Sequence, residues 1–129
     1  MSVLVDTSVW SKALRNKGEE DRIFMKLIQT NQVRIIGVIR QEILSGIKDA
    51  VQFKKLHDNL SAFPDAFVPS DYYVKAAQLY NTCRSKGIQA SHIDFLIAAV
   101  AIEESLELYT YDMDFKNIAT VVPLELYQL

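Results

Sequence analysis

The chain has 129 residues, half of them hydrophobic and 23% charged, with a net charge of −2. This is the profile of a single folded domain, residues 1–129, with an ordinary core; it excludes a disordered chain and argues against avid, charge-driven binding of nucleic acid. The lone cysteine, Cys83, excludes an internal disulfide and suits a reducing cytoplasm, no signal peptide is legible, and the longest apolar run, Phe95 to Ile102, falls far short of a membrane span.

The opening stretch is Ser2-Val3-Leu4-Val5-Asp6-Thr7-Ser8. An apolar run that stops on a carboxylate followed by two hydroxyls reads as a buried strand delivering an acid at its C-terminal end. In open parallel sheets that end is where ligands sit. Ser8 is the expected N-cap of a helix from Val9 to Arg15, with Trp10, Ala13 and Leu14 inward and Asn16 and Gly18 closing it. Glu19, Glu20 and Asp21 put negative charge at the start of a second helix, whose Ile23, Phe24, Leu27 and Ile28 form an apolar stripe ending at Asn31. Val33 to Gly37 reads as a second strand. A helix through Val38, Ile39, Glu42, Ile43 and Leu44 follows and ends at Ser45-Gly46.

Lys48 to Ala62 reads as an amphipathic helix carrying Val51, Phe53, Leu56 and Leu60. Pro64 and Pro69 bracket Ala66-Phe67-Val68, a connection or a further strand. Ser70 is the expected cap of a long helix from Asp71 to Lys86, with Val74, Ala77, Leu79 and Tyr80 as its contacts and Gly87 as its stop. Ser91-His92-Ile93-Asp94 fits a capping box opening the apolar helix. Glu107 to Tyr111 is another strand, running into Asp112-Met113-Asp114-Phe115. Ala119 to Val122 is a last short strand, and the tail Leu124 to Tyr127 packs or pairs at an edge.

Asp6, Glu42, Asp94, and Asp112 or Asp114 thus fall at strand ends and near helix starts. Each has a bland explanation: Glu42 projects to solvent or pairs with Arg40 or Lys48, and Asp94 merely caps its helix. Gathered in one pocket they repel, since two charges about 4 Å apart cost roughly 4 kcal/mol at an effective dielectric near 20. Such a cluster needs protons or a divalent cation. Withdrawing four acids leaves a slightly positive remainder, so Lys12, Arg15 and Lys17 are either a solvated face or the holders of a polyanion backbone. Tyr72 and Tyr73 are read as packing groups rather than base-stacking ones, and His57 as a surface histidine with no second ligand nearby. A receiver-type phosphoacceptor domain also gathers acids at strand ends, but it expects a lysine on a late strand, and Glu107 to Tyr111 contains none.

Val5-Asp6-Thr7-Ser8, Glu42-Ile43-Leu44 with Gly46 after it, Asp94 opening an Ile-Ala-Ala helix, and Thr110-Tyr111-Asp112-Met113-Asp114-Phe115 together resemble the PIN domain, above all the VapC-type toxins of bacterial and archaeal toxin–antitoxin pairs. The resemblance runs along essentially the whole chain, in order. It implies an α/β class, three-layer α/β/α domain with a mostly parallel central sheet of four to five strands, usually homodimeric. It also implies a Mg²⁺- or Mn²⁺-dependent endoribonuclease inhibited by a cognate antitoxin, leaving a 5′-phosphate and a 3′-hydroxyl on the cut RNA. By motif position Asp6, Glu42, Asp94 and Asp112 become the catalytic, metal-holding acids. Asp114 is a common additional acid, and Thr7, Ser8 and Thr110 are supporting hydroxyls. Ser8 stands where many relatives carry asparagine, and Arg40 matches no family position, which makes it a candidate to pair with the acids. The antitoxin is expected to lay apolar groups in a groove between the early helices and to insert a cation among the acids. The alternative reading is a PIN-like binding module without turnover.

Overall fold

The structure, a computed structural model, describes residues 2–15 and 21–128, with the backbone alone at Arg15. The predicted roles of Asn16, Lys17, Gly18, Glu19 and Glu20, and of the Arg15 side chain, lie outside the described residues.

Val3, Leu4 and Val5 are at most 1% exposed, and a strand buried on both faces belongs at the centre of a parallel sheet. β1 (Val3–Val5) is flanked by β2 (Val33–Arg34) and β3 (Glu107–Tyr109), in the order β2-β1-β3. All pairings are parallel, with Val3 opposite Val33 on one side and Glu107 on the other. Helices lie on both sides of the sheet: α1 (Thr7–Arg15), α2 (Arg22–Gln29), α3 (Gly37–Leu44), α4 (Ala50–Leu60), α5 (Ser70–Ser85), α6 (His92–Glu103) and α7 (Met113–Ala119).

The four to five strands expected contract to three among the described residues. Each edge carries only a single-residue parallel bridge, Ile35 with Asp65 and Leu108 with Leu126. Strand β2 is short because Ile36 is already the N-cap of α3, so Ile35 alone is left to pair. The residues Ala66-Phe67-Val68 form no strand, and the tail meets β3 at Leu126 as anticipated.

Helix α6 explains its own lack of amphipathicity. Every residue from Phe95 to Ala101 is buried, as expected for a helix covered on all sides, and α5 supplies its most extensive partner surface. The Ser91 capping box forms as read from sequence. Gly87 stops α5 with a φ of +77° that a side chain would strain.

Several local readings are corrected. α1 starts at Thr7 rather than after Ser8, because the Asp6 carbonyl accepts the first helical bonds from Val9 and Trp10. Leu14 is 42% exposed instead of inward. Pro69, not Ser70, occupies the N-cap of α5, and no side chain caps it. Val51 and Phe53 on α4, and Val74 and Ala77 on α5, face solvent. The predicted strand at Ala119 to Val122 is the end of α7 and the turn after it, since Val121 and Val122 both donate to the Ile118 carbonyl. The missed start of α7 is Asp112, whose carboxylate accepts from the Asp114 amide. Among the described residues no helix is long and apolar enough to cross a membrane.

Arg40 takes a structural post away from the acids. Its Nε donates to Asp65 Oδ1 at 3.0 Å, Nη1 donates to the Leu60 carbonyl at 3.0 Å, and Nη2 donates to the Phe63 carbonyl. The guanidinium thereby ties α3 to the end of α4 and to the bridge residue of the sheet edge. Stranding the Phe63 carbonyl is costly, whereas the Leu60 carbonyl also accepts from the Phe63 amide at 3.0 Å and the Asp65 pair is partly exposed and weak. Arg40→Ala should therefore lower unfolding free energy by about 2 kcal/mol in urea titration, and Asp65→Ala by less than about 1 kcal/mol.

Candidate active site

Asp6 follows the central strand and is the one buried charged residue among those described, at 5% exposure. Its amide donates to the Tyr109 carbonyl, which extends the β1–β3 ladder by one bond and fixes where the side chain begins. Oδ2 accepts from Ser8 Oγ and Thr110 Oγ1, both at 2.8 Å, and from the Ser8 amide at 3.4 Å. The Thr110 hydroxyl accepts in turn from the Asp112 amide at 3.0 Å, and the Ser8 hydroxyl from the Tyr111 amide at 3.0 Å. Two hydroxyls thus link the acid of one strand end to the backbone leaving the other.

The remaining acids are placed by the same kind of bond. Thr7 Oγ1 donates to Glu42 Oε1 at 2.9 Å, joining the first turn of α1 to α3. Asp94 Oδ2 accepts from the Ser91 amide at 3.2 Å, and Asp112 Oδ1 accepts from the Asp114 amide at 2.9 Å. Capping and site membership are therefore compatible: a carboxylate has two oxygens, and the cap uses one of them.

Asp94, Asp112 and Asp114 each bring a carboxylate oxygen within 4.8 Å of the others. Burial pushes the Asp94 carboxyl up, the Ser91 bonds oppose this, and the charges of Asp112 and Asp6 add to the rise. Partial desolvation likewise pushes Glu42 up; the Thr7 bond opposes it, and Asp6 and Asp94 reinforce it. These couplings join Asp6 and Glu42 electrically to the trio. Clustered carboxylate oxygens of this kind suit a hard divalent cation that keeps part of its water.

The profile of the PIN domain family matches residues 3–121. The chain belongs to this family. Solved structures similar to this PIN domain include the VapBC2 complex of Rickettsia felis bound to a DNA fragment from its promoter, with a TM-score of 0.81, 21% identity and 98% of each chain covered. VapBC-1 of nontypeable Haemophilus influenzae aligns with a TM-score of 0.79 and 15% identity over 99% of this chain and 98% of that one. A toxin–antitoxin complex from Klebsiella pneumoniae aligns with a TM-score of 0.70 and 23% identity, covering 97% and 100%. At such identities the likeness is one of fold. No curated protein matches the chain significantly in sequence.

In this PIN domain the expected acids and hydroxyls converge at one end of the sheet, and Asp114 stands in the close trio while Asp6 and Glu42 flank it. Lys12 lies on α1 with its side chain exposed. Sequence reading missed Asp21 and Tyr109 as neighbours of the site: the Tyr109 hydroxyl donates to Asp21 Oδ2 at 2.6 Å across 88 residues, a pairing that no local pattern signals.

The raised carboxyls set a pH dependence. A folded-state pKa above the unfolded value contributes stability below the unfolded pKa and loses it as pH rises through the folded one. Glu42, with an ordinary value of 4.5, is such a group. In EDTA, Glu42→Gln should therefore raise the melting temperature at pH 7.5, and the gain should shrink as pH falls to 4. A lower melting temperature for the variant at pH 7.5 would contradict the crowding described here.

Proposed function

We propose that the protein is a VapC-type toxin, a Mg²⁺- or Mn²⁺-dependent endoribonuclease held in check by a cognate antitoxin. The observation that carries this reading is the convergence of Asp94, Asp112 and Asp114 beside the buried Asp6 at the C-terminal end of a parallel sheet, in a chain matched by the PIN domain profile over residues 3–121. Asp94, Asp112 and Asp114 hold the ion, with Asp6 and Glu42 completing the acidic wall. When bound, a divalent cation supplies positive charge for the scissile phosphate and makes water a stronger acid.

The chain's own residues do the positioning. Asp6, fixed by Ser8 and Thr110, anchors the negative wall at the centre of the sheet. Asp94 and Asp112 each keep one oxygen on a backbone cap, and the other would be left to hold the ion. Glu42 and Asp94, whose carboxyls are pushed up chiefly by burial, are the acids of the wall readiest to hold a proton. Lys12 is the described cation that would meet the RNA backbone, and Arg15 and Lys17 are further basic residues of the same stretch of sequence.

The same reading supplies the partners. Solved complexes of similar fold pair such a chain with an antitoxin, and this chain exposes large apolar side chains, Phe67 at 81%, Val74 at 58% and Tyr73 at 54%. Apolar surface of that kind suits protein contacts: a second copy of the chain and the antitoxin, which inserts a cation among the acids in place of the metal.

The test is incubation of a total-RNA pool with purified protein in Mg²⁺, Mn²⁺ or EDTA, with the cut ends mapped by sequencing. Discrete metal-dependent cuts bearing 5′-phosphates are expected; folded protein that leaves RNA intact with both metals would overturn the nuclease reading and favour a binding module. Asp94→Asn and Asp6→Asn should each slow cleavage by about a hundredfold or more while melting cooperatively. Thr7→Val, which only frees Glu42 from its donor, should cost about tenfold.

A further inference from the structure

Beside the acids, the backbone leaving β3 presents a second constellation that hydrolysis itself does not require. Tyr111 is 37% exposed. Its amide donates to Ser8 Oγ, the hydroxyl that donates to Asp6. Its own hydroxyl donates to Asp21 Oδ2 and lies 3.2 Å from the Tyr109 hydroxyl. The two tyrosine rings meet edge to face at 5.7 Å. Burial pushes the Asp21 carboxyl up, but the bonds from both tyrosines and from the Ile23 and Phe24 amides outweigh it and hold Asp21 below the usual range. The Tyr111 ring is thus fixed at its backbone, its edge and its hydroxyl.

Over this fixed ring stands Lys12, its Nζ 4.8 Å from the centroid. No carboxylate pairs with Lys12 among the described residues. Lys12 is exposed on α1, the helix whose first residues, Thr7 and Ser8, hold site acids, and an ammonium on a free stem there would have those acids as alternative partners. The quadrupole of the ring offers the ammonium a competing position on the rim. From there it remains available to negative charge arriving from outside.

We propose that Tyr111, fixed by Asp21 and Tyr109, is a positioning residue that holds the Lys12 ammonium on the rim, where it binds a backbone phosphate flanking the scissile one. This rests on the nuclease reading above. It assigns Tyr111 to substrate binding rather than to chemistry. Lys12 contributes through charge, and the ring contributes through where that charge is held.

The experiment measures anisotropy of a fluorescein-labelled, mixed-sequence single-stranded RNA with Ca²⁺ replacing Mg²⁺, alongside cleavage kinetics of the same RNA in Mg²⁺. Lys12→Ala should weaken binding about fivefold, reduce the salt slope by about 0.7, and raise KM with kcat within about twofold. Lys12→Arg should restore most of the loss. Tyr111→Leu should weaken binding about threefold, Tyr111→Phe should fall between it and the parent because the ring face remains while its hydroxyl anchor is lost, and the double variant Lys12→Ala/Tyr111→Leu should bind no more weakly than Lys12→Ala alone. Thermal melting checks that each variant is folded. Additive losses, an unchanged salt slope, or a fall in kcat at constant KM would overturn the inference while leaving the nuclease reading standing. A parent protein that neither binds nor cleaves RNA would overturn both.

Discussion

Asp6, Glu42, Asp94, Asp112 and Asp114 carry like charge, and the surrounding structure holds them together against their repulsion. It does so with a repeated device: one carboxylate oxygen accepts from a nearby hydroxyl or amide. Asp6 uses Oδ2 for Ser8 and Thr110, Glu42 uses Oε1 for Thr7, Asp94 uses Oδ2 for Ser91, and Asp112 uses Oδ1 for the Asp114 amide. These bonds fix direction without neutralising charge. The Glu42 and Asp94 carboxyls are raised, chiefly by burial, with the neighbouring acids adding to the rise.

The rest of the fold serves that arrangement. A central strand buried on both faces aims Asp6, and its ladder with β3 brings Thr110 alongside. The all-round burial of α6 fixes Asp94 more firmly than its cap alone would. Arg40, two residues before Glu42, is occupied by Asp65 and two carbonyls, so it braces α3 instead of compensating the acids. The negative wall is left without an internal counter-charge from that side.

What was legible in sequence follows the range of the interactions concerned. Val3-Leu4-Val5 ending on Asp6, the Ser91 capping box and the apolar helix after it are local patterns, and they form as read. Asp6, Asp94 and Asp112 were legible because a strand end or a cap sets their place, whereas Glu42 lies within α3 and is held by the distant Thr7 hydroxyl. Illegible features depend on distant partners or on competition between local states. Thr120-Val121-Val122 has strand-like residues, but the Asp112 cap and the burial of Phe115 and Ile118 carry helix α7 up to them. The sheet edges narrowed because α3 begins at once after Ile35. The Asp21–Tyr109–Tyr111 network joins residues some ninety positions apart, which no spacing rule reveals.

The position of a bound metal decides the role of these acids. The deciding measurement is an anomalous difference map from crystals of the protein grown with Mn²⁺. A peak bounded by carboxylate oxygens of Asp94, Asp112 and Asp114, on the side of Asp6, is the predicted result, and it should vanish in Asp94→Asn crystals. An ordered site with no peak there, or a peak that survives the substitution unchanged, would contradict the assignment of these acids as the metal centre.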